Sequence, residues 1–254
     1  MVISMDRWVG KVAVVTGAST GIGAAIADQL VSNGLKVVGI ARRVELVEQR
    51  SQDLSDQPGK LYPYKADVSQ QDQIVEAFTW IEDTLGPVHI LINNAGVAKD
   101  TTLVDGDYDA WRATLDVNVL GLCVATREAI KSMKKHDVKG HIVHINSLCG
   151  HRVPNFPGFN IYPASKHGVT ALTETLRQEL NFLGSKIKVT SVSPGLVATE
   201  MTTLKEMDPE KRAVVDTFPV MSPEDIADGV IYVLSTPEHV QVHELTIKPV
   251  GEIY

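Results

Sequence analysis

Lys11-Val12-Ala13-Val14-Val15-Thr16-Gly17-Ala18-Ser19-Thr20-Gly21-Ile22-Gly23 passes from an apolar run into a turn that carries three glycines. A valine-rich run with no polar residue from Val12 to Val15 is expected to be a strand covered on both faces. Glycine at 17, 21 and 23 lets the backbone turn sharply and leaves no side chain between the main chain and a ligand. The helical pattern that follows aims its first N–H groups at an anion. The stretch therefore predicts a pyrophosphate cradle made by Gly17, Ser19, Thr20, Gly21, Ile22 and Gly23. A tight strand-to-helix turn is the competing reading. The strand before and the helix after favour the cradle.

Outward from this point, short β-branched runs recur at 36–40, 61–65, 88–92, 141–146, 188–192 and 245–248, with helical patterns between them. Gly34 is placed to close the first helix. Ser69 with Asp72, and Ser222-Pro223-Glu224-Asp225, have capping-box spacing. Val169, Leu172, Leu176, Leu180 and Leu183 form a helical stripe. Alternating strands and helices predict an α/β protein: a Rossmann doubly wound parallel sheet of about seven strands with helices on both faces. No linker or repeat interrupts residues 1–254, so a single domain is expected. The least regular segment, 198–221, reads as a substrate lid with a short helix after Asp208-Pro209.

The 254 residues suffice for one large α/β domain and leave little room for a second. A formal net charge of -7 argues against nucleic acid as a partner. Cys123 and Cys149 are too few for a disulfide framework and read as buried free thiols. No apolar stretch approaches a membrane span, and the N-terminal residues lack the apolar core of a signal peptide, so a cytoplasmic location is expected.

Two further features carry chemistry. After the second strand an NAD site ordinarily has an acid for the ribose hydroxyls. Here Arg42 and Arg43 follow Ala41, and paired guanidinium groups suit a 2′-phosphate through forked, charge-assisted hydrogen bonds. This favours NADP, with Arg42 ahead of Arg43; a solvated basic pair is the alternative. Secondly, Tyr162 and Lys166 are one helical turn apart and share a face. A phenol ordinarily titrates near pH ~10. To act as acid and base it must come down towards ~7, which is about 4 kcal/mol in favour of phenolate. A neighbouring ammonium is one source of that energy. An ordinary amphipathic helix would show the same spacing.

On these residues the chain resembles the short-chain dehydrogenase/reductase family over nearly its whole length. The glycine motif matches 16–23, and Asn93-Asn94-Ala95-Gly96 matches a second motif after the fourth strand. Tyr162 and Lys166 match the Tyr-x-x-x-Lys motif, Ser147 the serine, Asn118 the helix asparagine and Pro194-Gly195 the motif after the sixth strand. The resemblance implies that Tyr162 exchanges a proton with the substrate oxygen and that Ser147 holds that oxygen. Lys166 would lower the phenol pKa and bond the nicotinamide ribose, and Asn118 would place a water in the proton path. It further implies cofactor contacts from Asp67, Val68, Asn93, Ala95, Gly96, Pro194, Gly195, Val197 and Thr199, and no metal. Asp67 reads equally as a helix cap.

Ser147 and Tyr162 are 15 positions apart, wider than the commonest family spacing, so 148–161 reads as a longer loop at the substrate mouth. Leu148, Val153, Phe156, Phe159, Leu196, Met201, Leu204, Met207, Phe218 and Met221 are candidate walls, although half of them would equally serve as lid core. They favour a hydrophobic alcohol or carbonyl: an isoprenoid alcohol such as farnesol, a steroid or a small dicarbonyl. His151 and Arg152 could grip a polar group or serve local structure. A catalytically silent cofactor-binding regulator is the alternative function. The long helices near 108–134 and 162–183 could pair across a two-fold axis, giving a homodimer or homotetramer.

Overall fold

Val12 and Val14 face one side of the sheet and Ala13 and Val15 the other, and all four are buried. This two-sided burial forces helices onto both faces. The computed structural model describes residues 3–155, 160–201 and 218–252. Its strands are β1 (Val12–Thr16), β2 (Lys36–Ala41), β3 (Lys60–Lys65), β4 (Val88–Asn93), β5 (His141–Ile145), β6 (Lys188–Pro194) and β7 (Glu244–Ile247). They form one parallel sheet in the order β3-β2-β1-β4-β5-β6-β7. The doubly wound, seven-stranded reading is thus observed. The order reverses between β1 and β4, which opens a crevice beyond their carboxyl ends.

Helices α1 (Gly21–Ser32), α2 (Val44–Asp53) and α7 (Pro223–Ser235) cover one face. Ile26, Leu30, Val47, Ile226, Val230 and Val233 pack there against Ala13, Val15, Ile90 and Ile92. Helices α3 (Gln71–Leu85), α5 (Leu122–Lys135) and α6 (Tyr162–Phe182) cover the other. Helix α4 (Tyr108–Leu115) runs into α5 through a π turn, Asp116–Gly121. Gly34, at φ +82°, follows the end of α1 as expected. The capping box at Ser222 and Asp225 is present.

Three local expectations are corrected. Ser69 does not cap α3. Its N–H and hydroxyl both bond the Asp67 carboxylate (2.9 and 2.8 Å), and the helix starts two residues later behind Gln70. Leu183 lies past the end of α6 and is 63% exposed, so the stripe ends at Leu180. Cys149 is buried, but Cys123 is only half-buried; both are free. No helix among the described residues is long and apolar enough to cross a membrane.

Candidate active site

The glycine turn is shaped by close approach. Gly17 and Gly21 have φ of +70° and +59°, a region that costs any residue with a Cβ. A Cβ at Gly17 would stand 2.8 Å from the Ala95 Cα, and one at Gly23 would stand 2.3 Å from both Asn94 Nδ2 and the Gly17 carbonyl. Asn94 Nδ2 donates to the carbonyls of Thr16 (3.0 Å) and Gly17 (3.2 Å). The N–H groups of Asn94 and Ala95 both donate to Thr16 Oγ1 at 3.1 Å. Asn94 thereby ties the loop after β4 to the loop after β1. Sequence reading put weight on Asn93 instead, whose side chain is buried and donates to Thr126 Oγ1 (2.8 Å). The doubled asparagine was visible; which of the two faces the crevice depends on strand alternation at the end of β4.

Thr20 precedes α1 but makes no capping bond to it. Its hydroxyl turns to Glu200, so the first amides of α1 have no side-chain cap, as an anion site requires. This cradle fits a dinucleotide diphosphate. At the ribose end, Arg43 is exposed but does not simply point into solvent. It forms an ion pair with Glu200 (2.7 Å) and bonds Thr20 Oγ1 (3.2 Å). Glu200 and Thr20 raise three loops into one polar ring, beyond β1, β2 and β6. Arg42 is exposed and has no ion pair or hydrogen-bond partner among the described residues. Thr199 packs on the glycine turn, its Cγ2 3.2 Å from where a Gly21 Cβ would be. Asp67 is an acceptor in its own turn, with Gln73 Oε1 accepting from its N–H (2.7 Å). Val68 is half-buried, and its carbonyl would stand 2.5 Å from a Gly121 Cβ.

The proton-handling groups meet at the ends of β4 and β5. Tyr162 opens α6 and is 8% exposed; its phenol hydrogen-bonds Ser147. Ser147 Oγ also accepts from the Cys149 N–H (3.1 Å), the strand-end cap that its position allowed. Lys166 lies one turn along α6 with Nζ 5.8 Å from the Tyr162 ring centre, and donates to the Ile145 carbonyl (2.9 Å). Asn118 sits in the π turn. It exchanges two 2.9 Å bonds with the Val97 backbone and donates to Ser165 Oγ (3.1 Å). A Cβ on Gly96 would lie 3.6 Å from Asn118 Oδ1 and 3.9 Å from Lys166 Nζ, so all three converge.

The electrostatics differ from the sequence expectation. Burial raises the Tyr162 phenol above its ordinary value, and the nearby Cys149 adds to this while the Ser147 bond opposes it. The chain's own groups therefore keep the phenol protonated. Burial also lowers Lys166 to about 8, so its ammonium form is held below that pH. His144, behind it, is driven to about 3 by burial and by Lys166, and bonds Thr173 (2.9 Å) as a neutral ring. Lys166 supplies a cation beside the phenol, but desolvation sets the direction of the phenol's shift.

On the substrate side, Leu148, Leu196, Met201 and Phe218 are half-buried. Met221 is instead core, bridging in parallel to Val197 and packed with Ile226, and Val153 is 71% exposed. His151 bonds Ser193 (2.9 Å) and Arg152 approaches Glu252 (3.5 Å), so both serve local structure. Pro194 ends β6, and the Gly195 N–H donates to Ile247 (2.8 Å). Phe156, Phe159, Leu204, Met207 and the helix expected after Pro209 lie outside the described residues.

The same arrangement recurs among known proteins. Residues 11–210 match the short chain dehydrogenase family model. A farnesol dehydrogenase of Aedes aegypti is 53% identical over 250 residues, covering 98% of this chain and 99% of that one. An alcohol dehydrogenase of Thermococcus sibiricus complexed with 5-hydroxy-NADP superposes with TM-score 0.83 at 27% identity, covering 95% and 97%. A relative from Burkholderia phymatum in complex with NAD gives 0.84 at 26% identity, covering 94% and 89%. A fold closed around a glycine cradle, with serine, tyrosine and lysine gathered at its carboxyl edge, defines a nucleotide-dependent oxidoreductase. This chain belongs to the short-chain dehydrogenase family, of the farnesol dehydrogenase-like type.

Proposed function

We propose that the protein interconverts a hydrophobic alcohol, of the isoprenoid class that includes farnesol, with its aldehyde or ketone, using NADP(H). One observation carries the chemistry: a phenol bonded to Ser147, held protonated by burial, with the Lys166 ammonium one turn behind it. The nicotinamide supplies or takes the hydride. Tyr162 Oη gives its proton to the substrate oxygen in reduction and receives it in oxidation. Ser147 shares that oxygen and fixes its position. Lys166 stabilises the phenolate left after donation, and its ammonium stays anchored on the Ile145 carbonyl. Asn118 positions the chain by holding the loop at Val97 against α6, which leaves its role as a water holder an inference from kinship. The substrate class rests on the apolar half-buried residues at the mouth and on the relative from Aedes aegypti. Monitoring reduced nicotinamide absorbance across a panel of ketones, aldehydes and terpenoid alcohols tests it. A preference for small polar alcohols or sugars would overturn it.

The NADP preference rests on Arg42, the uncommitted guanidinium beyond β2. Arg43 has to share its fork with Glu200. Replacing both arginines with alanine is expected to weaken NADPH binding by roughly 10- to 100-fold, the worth of one or two charge-assisted hydrogen bonds. NADH affinity should change little. Fluorescence titration of both nucleotides measures this, and equal losses would remove the 2′-phosphate from the argument. Pairing of the long helices into a homodimer or homotetramer is part of the same reading, and light scattering that shows a monomer alone would refute it.

A further inference from the structure

At the amino ends of β1, β4, β5 and β6, opposite the reaction site, a cleft of about 310 Å³ opens beside the first 3-10 turn (Asp6–Trp8). Five cations line it: Arg7, Lys11, Lys139, Lys186 and Lys188. Only two carboxylates do, Asp137 and Glu238, and Glu238 is bound to Lys139 at 2.8 Å. This concentration of positive charge sits in a chain of formal net charge -7.

Two of the cations are drawn partly out of water with no carboxylate at ion-pair distance, and the one acid that acts on both, Glu238, is already bound to Lys139. Lys188 is 6% exposed, and its Nζ donates only to neutral oxygens: Thr236 Oγ1 (3.0 Å) and the carbonyls of Val240 (2.9 Å) and Pro237 (3.4 Å). Arg7 bonds the Leu234 carbonyl (2.7 Å) and lies over the Trp8 ring at 4.6 Å, while its buried Nε–H has no acceptor. Neither forms an ion pair among the described residues. Burial, with Arg7 beside it, lowers Lys188 to about 8, and Glu238 offsets this only in part. Burial and these same two cations hold His141 neutral behind the cleft. Buried charges are ordinarily paired, because an uncompensated one carries the desolvation cost with nothing to offset it. An orphaned buried N–H adds its own penalty.

We propose that this cleft is a binding site for a small soluble phosphate dianion, inorganic phosphate or a compact phosphate monoester. The volume is at the lower end for ligand pockets, which sets the size. Lys11 and Lys186 stand exposed at the mouth, where they would draw in the anion, and Arg7 Nε–H supplies an unused donor. The site is independent of the redox reading, since it shares no residue with it.

The test uses the full chain, inorganic phosphate and sodium chloride at matched ionic strength. In the unmodified protein, phosphate at about ten times its dissociation constant should raise the unfolding midpoint by roughly 3–6 °C over chloride. The double variant Lys11→Glu/Lys186→Glu reverses two exposed side chains that form no hydrogen bond or ion pair with other described residues, so the fold is preserved. It should lose most of that rise and bind phosphate at least about tenfold more weakly by calorimetry. Arg42→Glu, at the cofactor end, should keep the full response. An equal phosphate effect in the double variant would mean general salting-out and overturn the site. So would loss of the effect in Arg42→Glu with retention in the double variant, since the anion would then sit in the cofactor crevice.

Discussion

Tyr162→Phe is expected to bind nucleotide within about twofold of the unmodified protein and to turn over at least about 100-fold, and up to about 10,000-fold, more slowly. Phenylalanine keeps the buried ring and its packing at the start of α6, so Lys166 and Asn118 should stay in place. Only Oη and its bond to Ser147 are lost. The burial that raises the phenol also explains the size of the effect. In this pocket the proton is retained at neutral pH, so the group is loaded as an acid for reduction. Removing it leaves the substrate oxygen only the Ser147 hydroxyl, too weak an acid to give up its proton, and water is kept out by the same burial. Fluorescence titration measures binding and absorbance of the reduced nicotinamide measures turnover. Turnover within tenfold of the parent would remove Tyr162 from the chemistry.

Gly23→Ala is expected to abolish detectable nucleotide binding and to lower the unfolding midpoint by roughly 5–15 °C. The new methyl would collide with the Gly17 carbonyl and the Asn94 amide, both at 2.3 Å and neither able to retreat. The Gly17 carbonyl is backbone, and the Asn94 amide is pinned by its bonds to Thr16 and Gly17. Relief requires the glycine turn to part from the loop after β4, which opens the cradle. Gly168→Ala in α6 is the internal control. Its methyl would meet Val119 at an ordinary 3.8 Å, so the gain in helix propensity should leave the midpoint unchanged or slightly higher. Differential scanning calorimetry of the two variants decides the matter; similar midpoints would contradict the close approach.

These expectations show what the chain discloses before it folds. Strands buried on both faces announce themselves as valine and isoleucine runs, which is why β1, β2 and β4 lie within a residue of where the pattern puts them. The glycine turn and the Tyr162/Lys166 spacing were legible because both depend on local geometry alone. Contacts between distant loops were not. Arg43 and Glu200 are 157 residues apart, and nothing in either neighbourhood marks the other. Ser69 had the spacing of a cap, yet Asp67 competes for it two residues away, a contest that spacing cannot judge. The spacing of Tyr162 and Lys166 likewise says nothing of the desolvation of the phenol, which only the folded pocket sets.

The π turn through Asp116–Gly121 has a consequence for how this stretch tolerates change in length. A π turn is one residue inserted into an α-helix. The wide turn absorbs that residue locally, so α4 and α5 keep a common phase while Asn118, inside the turn, reaches Val97 and Ser165. Deleting a single residue between 119 and 121 would restore a regular spiral and pull Asn118 off those partners. The surplus residue lets one side chain leave the register of the rod without disturbing the packing of either end. A shortened chain should therefore gain helical regularity, by circular dichroism, while losing turnover.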